Sequence, residues 1–103
     1  MVAKPCPFCT LPPERIARRN TSGVLVRDAY PVSQGHSLII PNRHIGSFFD
    51  LSDTERADLL DLLDQARREL DGLHQPDGYH IGINDGPAAG QPVPHLHIHL
   101  IPR

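Results

Sequence analysis

The chain has 103 residues, a formal net charge of -2, and 39% hydrophobic against 21% charged residues. That length suits one domain with a modest single core. Without a run of lysine or arginine it has no electrostatic footprint for long nucleic acid or an anionic membrane surface. No apolar stretch approaches the roughly 18–20 residues that span a bilayer.

The first residues, 1–6, lack the apolar core of a signal peptide, so a cytoplasmic location is expected. Cys6-Pro7-Phe8-Cys9 follows at once. Two cysteines are too few for a disulfide framework, but a C-x-x-C pair offers two thiolates, and tetrahedral structural zinc commonly takes two Cys and two His. The rival reading is a small thiol oxidoreductase, whose motif needs a strand before it and a helix starting at it. Only five residues precede Cys6, and Pro12-Pro13 follow soon after.

Arg15 to Arg19 and Val24 to Arg27 flank the turn residues Asn20-Thr21-Ser22-Gly23, as the arms of a hairpin do. Ser37-Leu38-Ile39-Ile40 is a short aliphatic run closed by Pro41. Next comes the clearest element, a helix expected over about residues 52–73. Ser52 and Glu55 form a capping box, with Leu51 in the staple position. Leu59, Leu62, Leu63, Ala66, Leu70 and Leu73 recur at three- and four-residue steps, and Gly72 and Pro76 mark the end. Tyr79 to Asn84 alternates as a strand does. Asp85 to Pro94 is a loop rich in glycine and proline, and His95 to Ile101 alternates again. These elements predict an α+β domain over residues 1–103, a mainly antiparallel five-stranded sheet with one long helix packed on it.

The last strand carries the chemistry. In His95-Leu96-His97-Ile98-His99-Leu100-Ile101 the aliphatic residues Leu96, Ile98 and Leu100 face the core and three imidazoles face away. An amphipathic strand needs no histidines on its polar side, so a functional reading is favoured. A single metal held by all three is disfavoured by geometry. His95 and His99 would start about 13 Å apart on an extended strand, whereas each nitrogen ligand lies about 2.0–2.1 Å from a zinc. The three roles must therefore be divided.

These residues resemble the H-φ-H-φ-H motif of the histidine triad (HIT) family of nucleotide hydrolases and transferases. The likeness extends to DAYPVSQGHSLIIP (residues 28–41), to NDGPAAGQ (84–91), to the N-terminal CPFC and to the terminal IPR. The resemblance implies that His97 attacks the α-phosphorus of a nucleotide and forms a covalent nucleotidyl-histidine. Imidazole suits that task, because an unperturbed pKa of about 6.5 leaves much of it neutral at pH 7. A backbone carbonyl is expected to orient its other ring nitrogen. His99 would donate to a phosphate oxygen or the leaving atom, and His36 would buttress His99. Backbone N–H groups of Gly90, Gln91 and Val93 and the side chain of Asn84 would approach the phosphate, and Asp28 would bind the ribose hydroxyls. Pro92 departs from the pattern: many members have Ser or Thr there, and proline donates nothing.

The same resemblance implies a structural zinc on Cys6, Cys9, His44 and His95. It also implies a small purine nucleotide substrate, taken as an adenosine derivative such as a phosphoramidate or dinucleoside polyphosphate, and a homodimer. His74 and His80 match nothing in the family pattern and are read as ordinary surface histidines. The competing classes are a nucleotide-binding protein with vestigial catalysis and the thiol oxidoreductase already mentioned.

Overall fold

The computed structural model describes residues 6–103. The stretch 1–5, read above for a signal segment, lies outside the described residues. The first elements form the expected hairpin, β1 (Ile16–Arg19) and β2 (Gly23–Arg27). Arg15 does not join β1; it ends a short 3-10 turn, Pro13–Arg15. Asn20 builds the turn. Its Oδ1 accepts the N–H groups of Ser22 and Gly23, and its Nδ2 donates to the carbonyl of Asp58 on the helix. Gly23 is required where it stands. A Cβ there would lie 2.5 Å from Leu59 Cδ2 and 2.7 Å from the Ile40 carbonyl oxygen, so any side chain would push the helix off the sheet.

The chain then forms β3 (Ser37–Pro41), the helix α1 (Asp53–His74), β4 (Tyr79–Gly82) and β5 (Ile98–Pro102). The five strands lie in the order β1-β2-β3-β5-β4, and every neighbouring pair is antiparallel. The helix carries the chain past the place beside β3, and the last strand fills that place between β3 and β4. The last strand is therefore an interior one, paired on both sides.

The capping box is present: Ser52 Oγ accepts the Glu55 N–H at 3.1 Å, and Glu55 Oε1 accepts the Ser52 N–H at 2.9 Å. Arg43 grips the same carboxylate with two nitrogens and, with the Ser52 N–H, holds its pKa down to about 2. Leu51 enters the core instead of stapling the helix, since the residue one turn in is Arg56, whose guanidinium stacks over Phe48. Leu59, Leu62, Ala66 and Leu70 form the buried stripe, whereas Leu73 is 63% exposed. Gly72 does not end the helix. It continues to His74 and stops at Gln75, which takes the left-handed conformation (φ 49°) just before Pro76.

The sheet has two differently clothed faces. Leu25, Ile39, Ile98 and Leu100 pack with Leu96 against the helix. Val24, Val26, Leu38 and Ile40 face the other way and are covered by Phe8, Leu11 and Ile16 from the N-terminal segment. No helix among the described residues is long and apolar enough to cross a membrane.

Two strand ends differ from expectation. β4 stops at Gly82, leaving Asn84 in the following loop, and β5 starts only at Ile98. His95 to His97 lie outside the ladder, with a bend at His95. Their would-be partner strand ends at Pro41, and the Leu96 N–H donates instead to the carbonyl of Ile45 at 2.7 Å.

Because the capping box closes both ends of the first helical turn, Ser52→Ala is expected to cost about 1 kcal/mol. That lowers Tm by roughly 4–8 °C for a chain of this size. Thermal and urea unfolding followed by circular dichroism measure it, and an unchanged midpoint would contradict the assignment.

Candidate active site and metal centre

Directly paired residues on neighbouring strands share a face. His99 of β5 faces Leu38 of β3 on one side and Gly82 of β4 on the other, so it stands on the sheet face away from the helix. His97 lies on the same side. Its ring centroid is 5.1 Å from that of His99 and 5.1 Å from that of Phe8. His97 and His99 line one cavity of about 540 Å³ with Phe8, Arg15, Tyr30 and Val93. That volume falls within the ~300–1,000 Å³ of small-molecule sites.

Backbone groups set the tautomer of each ring. His97 Nδ1 lies 2.9 Å from the carbonyl oxygen of His95. A carbonyl only accepts, so Nδ1 carries the proton and Nε2 keeps its lone pair. The Val32 N–H, which only donates, lies 3.0 Å from His36 Nδ1. His36 must therefore hold its proton on Nε2, which lies 3.0 Å from His99 Nδ1. His99 accepts there, which leaves Nε2–H as its own donor. The outcome is one imidazole with a free lone pair beside one with a free N–H.

Burial lowers the pKa of His36 and of His99 below the ordinary value. For His36 the carboxylate of Asp28 opposes this and Arg103 adds to it. For His99 the neighbouring rings of His97 and His36 add to it, and Asp28 opposes it. Both rings are thus held neutral, as the proton chain from Val32 requires.

His95 belongs to a second group. Its Nε2 donates to the Pro41 carbonyl at 2.9 Å, so Nδ1 is the free lone pair. Nδ1 lies 3.3 Å from the sulfur of Cys6 and 3.5 Å from that of Cys9. The Cys9 sulfur is 3.1 Å from His44 Nδ1. All four donor atoms lie within 4.8 Å of one another. Around a tetrahedral ion with bonds of about 2.0–2.3 Å, neighbouring ligands stand roughly 3.3–3.8 Å apart. The three close separations, 3.1, 3.3 and 3.5 Å, lie near that range, so the four residues could hold a metal ion. The hydrogen bond from His95 to Pro41 orients the ligand in the manner common to metal-bound histidines. Burial lowers the His95 pKa, which favours the neutral, ligating form.

The remaining sequence-predicted residues take mixed places. Asp28 Oδ1 accepts the Tyr30 N–H, and its Oδ2 lies 3.4 Å from His36 Nε2. It lines the large cavity but is partly committed to its own loop and to His36. Asn84 Nδ2 donates to the Ala89 carbonyl. The N–H groups of Gly90 and Gln91 donate within the loop, to Pro87 and Gly86 respectively. The Gln91 side chain accepts from Gly86 N–H and donates to the Gly46 carbonyl, which pins the loop to the segment after β3. These groups hold the loop's shape in this structure. Val93 and Pro92 both line the cavity. Cys6 and Cys9 are free thiols, and residues 7–9 form a turn after which no α-helix starts, unlike a thiol oxidoreductase site.

Sequence reasoning missed Phe8, Arg15 and Tyr30 as cavity walls, the Val32 N–H as the start of the proton chain, and His80. Phe8 was findable, since it stands between two candidate ligands. The others are brought in by tertiary contacts alone.

Residues 12–103 match the model of the HIT domain. The chain belongs to the HIT family. Among its relatives, an AP-4-A phosphorylase of Mycobacterium tuberculosis is 35% identical over 79 residues, covering 76% of this chain and 40% of that protein. An adenosine 5'-monophosphoramidase of Schizosaccharomyces pombe is 37% identical over 76 residues, covering 74% of this chain and 54% of its own. This HIT chain thus spans about half or less of these relatives. A crystal structure of a Zn-bound histidine triad family protein from Mycobacterium smegmatis superposes with a TM-score of 0.83 at 33% identity. It covers 95% of this chain and 74% of that one. Cys6 and Cys9 precede the residues that match the HIT domain, so the family match does not rest on them.

Nitrogen NMR of the imidazoles tests the tautomers directly. His97 is expected as the Nδ1–H form and His36 and His99 as Nε2–H forms. His36 and His99 should stay neutral at a pH of about 6.5, where a free imidazole is about half protonated. An Nε2–H signal for His97 would contradict the arrangement.

Proposed function

We propose that this chain cleaves nucleoside phosphates bonded to a second group, through a covalent nucleotide on His97. The observation that carries this reading is the hydrogen bond from His97 Nδ1 to its own strand's His95 carbonyl. It turns the Nε2 lone pair into the ring's only nucleophilic site, in a cavity that also holds the His99 donor. Two relatives support it by name, an AP-4-A phosphorylase and an adenosine 5'-monophosphoramidase.

In the proposed reaction Nε2 attacks the α-phosphorus. The Nε2–P bond forms as the bond from phosphorus to the second group breaks, and that group leaves with the electron pair, an amine taking up a proton from solvent as it departs. The ring becomes cationic while Nδ1 keeps its proton, and the His95 carbonyl stabilises that charge. His99 Nε2–H donates a hydrogen bond to a non-bridging oxygen or to the departing atom, where negative charge grows. Water then attacks phosphorus, the N–P bond breaks, and the water proton passes to solvent. The apolar walls Phe8, Tyr30 and Pro92 suit a nucleoside, and Asp28 at the same cavity suits ribose hydroxyls. An adenosine derivative is the proposed substrate, the cytoplasm the proposed location.

His97→Ala is expected to lower kcat/KM on an adenosine phosphoramidate by about 10⁴-fold or more, since the nucleophile is removed. His99→Ala should cost on the order of 10²–10⁴-fold. Rapid quench at neutral or alkaline pH with labelled substrate should trap one nucleotide on His97. Nucleotide binding without any adduct would instead make this a binding protein whose catalysis is lost.

We further propose that the metal is zinc and structural, held by Cys6, Cys9, His44 and His95. All four positions are then taken by protein, and the ion supplies cohesion, not an open Lewis-acid site. It would tie the N-terminal segment, and with it Phe8, to the residue two before His97. The purified protein should carry about one zinc per chain. Cys9→Ser and His44→Ala should lose metal, and chelation should lower Tm by several degrees. Full stability with no bound metal would refute the proposal. A homodimer is also proposed. It is supported by the open edge of β4 and by the half-exposed Leu60 and Ile81, which line a shallow hollow beside Leu63 and Tyr79.

A further inference from the structure

A second cavity, of about 380 Å³, lies on the other side of His99. His99 lines both cavities, so a group bonded to a phosphorus beside that ring can extend from one into the other. The second cavity is walled by His36, His80, Asn84 and Gly82, with Ile81 and Ile101.

His80 is brought there by a specific device. It stands on β4 two residues before Gly82, and Gly82 is the cross-strand neighbour of His99. Residues two apart on a strand share a face, so His80 belongs to the sheet face that carries the reactive histidines. A Cβ built on Gly82 would lie 2.8 Å from His80 Nε2. The imidazole therefore lies over the bare backbone of Gly82 and leans toward His99. A glycine inside a strand disfavours it by roughly 0.5–1 kcal/mol relative to alanine, and such glycines often mark a close approach. Here the close approach is that of the His80 ring.

Size and charge say what the cavity takes. Ammonia needs no more than the ~30 Å³ share of a water molecule, an order of magnitude less than the space present. No residue lining the cavity is acidic, so nothing in its walls pairs with an ammonium group, whereas the imidazoles of His80 and His99 can offer N–H donors, that of His36 being spent on His99. Such walls suit a group bearing anionic oxygens.

We propose that this cavity receives the leaving group, and that His80, laid over Gly82, is a specificity residue favouring leaving groups that carry phosphate over simple amines. This rests on His97 being the nucleophile. With such a substrate, attack at the α-phosphorus breaks its bond to the bridging oxygen, which departs with the electron pair on the next phosphate. That product carries the charge without needing a proton. His80 hydrogen-bonds its phosphate oxygens and touches no atom of the bond being broken.

The test compares kcat/KM for diadenosine tetraphosphate with kcat/KM for the adenosine phosphoramidate of ammonia, as a ratio, in several variants. His80→Ala should lower that ratio by about 10–100-fold, the worth of one hydrogen bond to a charged group. Gly82→Ala, which displaces the ring while leaving it in place chemically, should lower it in the same direction. His80→Gln, which keeps a donor, should retain part of the preference. Circular dichroism and the trapped nucleotide on His97 monitor the fold and the nucleophile in each variant. A ratio unchanged in His80→Ala, with the adduct still formed, overturns this inference alone. A wild-type protein that forms no adduct overturns the reading it rests on, and this inference with it.

Discussion

The arrangement depends on main-chain groups deciding where imidazole protons sit. The carbonyls of Pro41 and His95 and the N–H of Val32 each have one hydrogen-bonding sense, and none can reverse it. Four side chains that would otherwise choose freely between two tautomers are thereby given fixed roles. His95 presents a lone pair to two sulfurs, His97 presents one to a cavity, and His36 passes its proton toward His99. A side-chain partner such as serine could swap donor for acceptor as conditions change. A backbone group cannot, and it moves only if the fold moves.

That makes the position of the last strand consequential. β5 is flanked by β3 and β4, so His99 is held in the ladder from both sides. Just before β5 enters the ladder, Leu96 is tied to Ile45 and His95 to Pro41, both near the end of β3. The interruption in regular pairing is what frees the His95 carbonyl to face the His97 ring instead of a neighbouring strand. The Cys6–Cys9 turn closes over this point, and Phe8 between the cysteines packs against both His95 and His97. The candidate metal site and the large cavity therefore share Phe8 as a wall.

Much of the fold was legible in linear order. The helix showed itself through Ser52, Glu55 and its leucine steps because capping and amphipathicity are local and periodic. Its end was misread: Gly72 is a common stop signal, yet nothing forces a helix to obey one glycine when Leu70 still anchors the stripe. The actual stop, Gln75 with positive φ, needed Pro76 and the packing beyond it. The spatial separation of His95 from His99 was also legible, since alternation along a strand sets them too far apart for a shared ion, and they fall in different side-chain clusters. The quartet of Cys6, Cys9, His44 and His95 came from family likeness, and the structure does bring its four donor atoms together.

What the sequence by itself determined is residue chemistry and short-range pattern: which side chains could ligate, attack or donate, and which runs would be helix or strand. Tertiary structure alone decided which lone pair each histidine shows. It decided too that the N–H groups of Gly90 and Gln91 are engaged inside their own loop, and that His80 stands beside His99. The reason is that the decisive partners meet only when the strands assemble, such as His36 with His99 or Gly82 opposite His99. Spacing along the chain does not say that the Pro41 carbonyl will meet the His95 ring once the last strand has slotted between β3 and β4.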